Sequence, residues 1–136
     1  MSRRLMPLVQ VTILARVQAK NLPMFLKCVE NIDYDKGSLS IYVHTNDNSD
    51  QTAKILRQWC LDQKSKKCYY NVKFIEQSFP QLRNKKAKSL MTGIGGDDAW
   101  YADGGVRLKT LSTIRDASLK HAVWTGADYY FVCDID

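Results

Sequence analysis

Apolar positions along the chain follow two periods in alternation. Leu8 to Ala15 (Leu-Val-Gln-Val-Thr-Ile-Leu-Ala) is short and rich in β-branched residues, which predicts a strand. Leu22, Phe25, Leu26, Val29 and Ile32 then recur at helical spacing, with Asn21 placed to cap the helix and Pro23 tolerated in its first turn. Asp33-Tyr34-Asp35-Lys36-Gly37 reads as a turn. Ser40 to Thr45, centred on Ile41-Tyr42-Val43, predicts a second strand. The polar loop Asn46-Asp47-Asn48-Ser49-Asp50 runs into a helix carrying Ala53, Leu56, Trp59 and Cys60 on one side, and Val72 to Ile75 predicts a third strand. From Gln77 to Gly105 the period vanishes. This basic, Gly-rich connection is longer than a routine loop, and such segments are usually functional or mobile. A third helix is predicted from about Val106 to Thr125, with Leu108, Leu111, Ala117 and Ala122 among its apolar positions and Gly126 where a C-terminal cap belongs. Tyr129 to Cys133, aromatic and β-branched, reads as a strand buried on both faces, as in the middle of a parallel sheet.

This alternation of strands and helices predicts an α/β fold, a Rossmann-like parallel sheet with crossover helices, forming one domain over residues 1–136. In such sheets ligands bind beyond the carboxyl ends of the strands. That places Asp134 and Asp136, which follow the last strand directly, among the first candidates for chemistry. Side chains two apart on an extended segment point the same way, so both carboxylates can face one cation. Hard oxygen ligands suit Mn²⁺ or Mg²⁺. A solvated Asp-x-Asp turn is the competing reading, and placement after a buried strand is what argues against it.

The net charge of +6 invites a nucleic-acid reading, but Lys and Arg are spread over the chain apart from Arg83-Asn84-Lys85-Lys86-Ala87-Lys88. That run reads as a solvated loop, and no nucleic-acid partner is expected. Cys28, Cys60, Cys68 and Cys133 show no zinc or redox spacing; Cys28, Cys60 and Cys133 fall in predicted helices and a strand and read as buried free thiols. The apolar stretch after Met1-Ser2-Arg3-Arg4 is interrupted by Pro7, Gln10, Thr12 and Arg16, a poor signal peptide and no membrane span. A cytoplasmic location is the expectation.

Three further features fall near the same sheet edge. Asp47 ends the second strand, where an acid can accept hydrogen bonds from a base or ribose; capping by Asn48 or Ser49, with Asp50 favourable to the helix dipole, is expected beside that role. Arg16 lies just past the first strand. Arg107 and Arg115 lie eight residues apart on the third helix, roughly 80° around its axis, and arginine suits bidentate phosphate binding. Gly93-Ile94-Gly95-Gly96 does not complete G-x-G-x-x-G, because Asp98 stands where the last glycine belongs, and there is no P-loop. His44 and His121 have no triad partners and read as structural.

The residues together resemble a known family. Ile13-Leu14-Ala15-Arg16 with Leu22-Pro23-Met24-Phe25-Leu26, the turn Tyr34-Asp35-Lys36, Thr45-Asn46-Asp47-Asn48 with Asp50, Thr52, Ile55-Leu56-Arg57 and Trp59, the helix residues Arg107, Arg115, Ala117 and Leu119, and Asp134-Ile135-Asp136 resemble the nucleotide-sugar half of a GT-A glycosyltransferase. The nearest likeness is to the amino-terminal domain of the collagen hydroxylysine galactosyltransferases. The resemblance implies Mn²⁺ (or Mg²⁺) held by Asp134 and Asp136 against the diphosphate of a UDP-sugar. It implies uridine contacts from Ala15, Arg16 and Asp47, and sugar or phosphate positioning by Arg107 and Arg115. Such domains continue past the D-x-D to an acceptor site and catalytic base, so none of these residues reads as the base. Family members usually enter the secretory pathway.

The expectation is therefore a donor-binding half of a UDP-sugar-dependent transferase with a hydroxyl acceptor such as collagen hydroxylysine. A non-catalytic module associating with a partner glycosyltransferase or with itself is the rival, and a nucleotidyltransferase a weaker one.

Overall fold

The computed structural model describes residues 6–79 and 97–135, with the backbone alone for 97–108. Seven elements follow in order: β1 (Val9–Ala15), α1 (Leu22–Glu30), β2 (Leu39–Asn46), α2 (Thr52–Lys66), β3 (Asn71–Gln77), α3 (Asp97–Thr125) and β4 (Tyr129–Ile135). A short 3-10 turn, Lys36–Ser38, precedes β2. All three strand pairings are parallel and the sheet order is β3-β2-β1-β4. This is the expected Rossmann-like α/β arrangement.

The two faces of the sheet differ in chemistry because alternate residues of each strand point opposite ways. Val11, Ile13 and Ala15 of β1, Ile41 and Val43 of β2 and Val72 of β3 form an apolar cluster with Leu22, Leu26 and Val29 of α1 and Leu56, Trp59 and Cys60 of α2. Those helix positions recur three or four apart, which is why the two helices lie there. The other face carries Gln10, Thr12, Ser40, Tyr42, His44 and Tyr130, and α3 crosses it. The buried residues of α3 among those described are Thr110, Ile114, Ser118 and Ala122, a mixed stripe four apart, while Leu119, Val123 and Trp124 are exposed. Polar groups there are tied to the sheet. Gln10 Nε2 donates to the Ser118 carbonyl (2.9 Å), Ser118 Oγ pairs with the Tyr130 hydroxyl, and Asn71 Nδ2 meets His121 Nε2 at 3.3 Å.

Several expectations are corrected. The last strand is not central: β4 lies at the sheet edge, with Tyr129 64% and Phe131 55% exposed. On the α1–α2 side Tyr129 and Phe131 are thus left exposed, while Ile135 at the far end of the strand packs against the apolar cluster. α3 begins at Asp97 rather than near Val106, so part of the 77–105 connection is helical; residues 80–96, including the basic run, lie outside the described residues. Cys28 is exposed, whereas Cys60 is buried and Cys133 half-buried. Asn21 makes no capping bond; its amide donates to Gln18 Oε1 instead. Gly126 does end α3 as expected. Its φ of +76° needs glycine's freedom, and Ala127 N–H returns to the Ala122 carbonyl (3.0 Å). Among the described residues no helix is long and apolar enough to cross a membrane.

Candidate functional site

The chain runs outward from β1 to β2 to β3, then returns through α3 to place β4 on the other side of β1. The strand order therefore reverses between β1 and β4, and it is beyond the carboxyl ends of two such strands, here at Ala15 and its register partner Ile135, that sheets of this kind bind ligands. Ala15 also pairs with Thr45 of β2. The expected residues Ala15, Arg16, Asp47, Arg115 and Asp134 thus all belong to this end of the sheet. Arg107 and Asp136 were expected there too, but the Arg107 side chain and all of Asp136 lie outside the described residues.

On the β2 side the polar groups are buried and bonded. Asp47 is 8% exposed and sits at φ +46°, a left-handed conformation that Asp tolerates better than most residues. Its carboxylate accepts hydrogen bonds from Phe79 N–H (3.0 Å), Ser78 Oγ (3.3 Å) and Asn46 Nδ2 (3.0 Å). Asp47 thereby fastens the chain leaving β3 to the end of β2. Nearby, His44 Nε2 pairs with Gln77 Oε1 at 2.9 Å and His44 Nδ1 with the Tyr42 hydroxyl at 3.1 Å. An amide oxygen can only accept, so Nε2 carries the proton and Tyr42 donates to Nδ1. Burial holds the His44 pKa below its ordinary value, against the opposing bond to Gln77. Burial first, and the Tyr130 phenol second, push the Tyr42 hydroxyl up to about 12. Both histidines take their places in hydrogen-bonded packing, as their isolation from any triad implied.

The loops that follow β1 and β2 are cross-braced by Asn48, read from the sequence as a cap, by Asp50, read as favourable to the helix dipole, and by Thr52. Asn48 Oδ1 accepts from Val17 N–H (2.7 Å), Thr52 Oγ1 from Gln18 N–H (2.8 Å) and Asp50 Oδ2 from Ala19 N–H (3.1 Å). Capping by Asn48 or Ser49 is not what the structure contains. Asp50 reaches into the first turn of α2, accepting from Thr52 N–H (3.0 Å) and Thr52 Oγ1 (2.6 Å). The bond from the Thr52 hydroxyl leads the causes that lower the Asp50 pKa. Val17 sits at φ +52°, which for a β-branched residue is strained by about 1–3 kcal/mol and persists only when neighbours enforce it. A run of short polar residues after a strand is the only sequence signal for this brace.

On the β4 side the groups are exposed. Asp134 lies level with Leu14 of β1, and its carboxylate is ion-paired with the Arg115 guanidinium of α3. Their side chains are 30% and 53% exposed, respectively. Two residues singled out separately, one for metal and one for phosphate, thus neutralise each other.

Residues 6–136 match the family described as "Glycosyltransferase family 25, N-terminal domain". The chain is 30% identical over 135 residues to procollagen galactosyltransferase 1 of Danio rerio, spanning 99% of this chain and 20% of that protein. It is 30% identical over 130 residues to procollagen galactosyltransferase 2 of Mus musculus (96% and 19%), and 26% identical over 133 residues to the inactive glycosyltransferase 25 family member 3 of Mus musculus (96% and 20%). The chain therefore spans about a fifth of the length of the curated relatives it matches. No solved structure matches it.

Proposed function

The chain belongs to glycosyltransferase family 25, and we propose that it forms the donor-binding part of an enzyme transferring a hexose from a UDP-sugar to a hydroxyl. A galactosyl donor and a collagen-like acceptor are supported by the names of the relatives. The observation that carries the reading is the reversal of strand order between β1 and β4, with Ala15, Arg16 and Asp47 at one side of that sheet end and Arg115 and Asp134 at the other. Ala15, Arg16 and Asp47 take the uridine end, and Arg115, with Arg107, takes the sugar and diphosphate.

A divalent ion fits the Asp134 side in its donor chemistry. The carboxylate is a hard oxygen ligand at the sheet edge and already holds a cationic group, the Arg115 guanidinium. Among the described residues no three His, Cys, Asp or Glu side chains gather to hold a metal. That suits an ion held by one or two carboxylates and completed by phosphate oxygens and water. Asp134, with Asp136, would hold Mn²⁺ or Mg²⁺, which would offset the charge of the leaving diphosphate. Arg115 would exchange the carboxylate for a phosphate oxygen, for which its planar fork of donors is suited.

Calorimetry of UDP binding with and without Mn²⁺ tests this. Mn²⁺ should tighten UDP binding to the native chain and leave Asp134→Ala unaffected; equal Mn²⁺ dependence in both would remove Asp134 from the site. A second reading is a nucleotide-binding module that works beside a partner glycosyltransferase or a second copy, for which the exposed side chains of Tyr129 and Phe131 offer an apolar surface. Sugar transfer by the purified chain, assayed in the same samples, decides between the two.

A further inference from the structure

Asn48 uses both ends of its amide on the two loops. Its oxygen accepts from Val17 N–H at 2.7 Å, and its nitrogen donates at 2.7 Å to Thr45 Oγ1, which itself donates at 2.7 Å to the Ala15 carbonyl. The backbone on either side of Arg16 is therefore gripped, at Ala15 through Thr45 and at Val17 directly, by one continuous line of hydrogen bonds. Beyond Val17 the same line of support continues through Thr52 to Gln18 and through Asp50 to Ala19. The left-handed Val17 turns the chain sharply just after the exposed Arg16. No glycine eases that turn, so the bonds to Asn48 and its neighbours must enforce it.

We propose that Asn48 is a positioning residue for the donor site. It fixes the direction in which Arg16 leaves the end of β1, and so presents that guanidinium to the nucleotide. The inference rests on the reading of this sheet end as a UDP-sugar site. Asn48 itself need not touch the ligand. Its amide is already committed to Val17 and Thr45. Thr52 supports the same loop from the first residue of α2, and its side chain is fully buried.

The test is a double-mutant cycle on UDP affinity, with thermal stability measured in parallel. Asn48→Ala removes two hydrogen bonds and should weaken UDP binding about tenfold, the size expected when a prearranged contact is lost. Asn48→Asp keeps the acceptor for Val17 N–H but loses the donor to Thr45 Oγ1, and should recover only part of that loss. In an Arg16→Ala background, Asn48→Ala should have little further effect, because the group it aims is gone. A purely structural role would give equal losses in both backgrounds. Thr52→Val, which removes the acceptor for Gln18 N–H, should show the same coupling in smaller measure and serves if Asn48→Ala does not fold. Additive losses from Asn48 and Arg16, or an unchanged affinity in Asn48→Ala, would overturn the positioning role while leaving the donor site standing. Absence of UDP binding by the native chain would overturn both.

Discussion

The β2 and β4 sides of the sheet's carboxyl end are held by opposite means. On the β2 side Thr45, Asn46 and Asp47 are buried, and Asp47 alone accepts bonds from Phe79, Ser78 and Asn46. On the β4 side Asp134 and Arg115 meet in an exposed ion pair on an edge strand. Removing a partner from the first leaves buried donors unsatisfied, which costs the whole desolvation of those groups. Removing a partner from the second exposes a charge that water already reaches, and pairs of that kind contribute little to stability. One side is therefore part of the fold's stability. The other is a water-exposed charge pair whose contacts can be replaced at little cost to the fold.

The largest test of that contrast is Asp47→Ala. The Phe79 N–H loses its carboxylate and alanine must take up a left-handed φ, so the chain should lose about 2–3 kcal/mol in urea unfolding. A loss under about 0.5 kcal/mol would mean that the buried side is no firmer than an ordinary surface.

Acidification should have a smaller effect on the same side. The His44 pKa is lowered in the fold, so the folded state favours the neutral ring. The stability this gives is complete above the unfolded value of about 6.5 and is lost as pH falls from there through the folded pKa. His121, lowered by burial and by Lys73, adds to the same slope. His44→Asn should flatten part of the decline in unfolding free energy below that pH, and an unchanged slope would show that the ring titrates freely.

Arg115→Gln should have the smallest effect on stability, below about 1 kcal/mol, and opposite effects on two ligands. Mn²⁺ titration without nucleotide should show tighter binding, because Asp134 is released, whereas UDP binding should weaken. A stability loss matching that of Asp47→Ala would abolish the distinction between the two sides.

The sheet and the order of its helices were legible because β1, β2 and β3 are short β-branched runs separated by helical repeats. What the pattern missed was the cover over each strand. Tyr129 to Cys133 reads as a central strand because its composition is apolar, but composition cannot tell whether a helix lies above it. Cys28 was misplaced for a geometric reason. At about 100° per residue it lies well off the stripe of Leu22, Leu26 and Val29, and that angle was available from the sequence. Arg16, Asp47, Arg115 and Asp134 were singled out from strand ends and side-chain chemistry, and Ala15 from the family resemblance alone. Their partners were not, since the meeting of Asn48 with Val17, or of Arg115 with Asp134, depends on strand register and on the path of α3. A short polar side chain after a strand suits a cap as well as a cross-loop brace, and only the fold decides between them.

The reversal of strand order also sets a sequence of events in time. The three strands β1 to β3 are joined by near-neighbour crossovers complete by Gln77. The second neighbour of β1 comes from much further along: Leu8 N–H bonds the Asp128 carboxylate 120 residues away. On the ribosome, the backbone groups of β1 that will face β4 must wait, unpaired, while α3 is made, and such distant pairings form slowly. The carboxyl end of β1 has no β4 neighbour until that docking occurs. A chain already structured in its first three strands would still lack the β4 flank of this sheet end, so any molecule that binds between β1 and β4 retains only chains in which that pairing has formed.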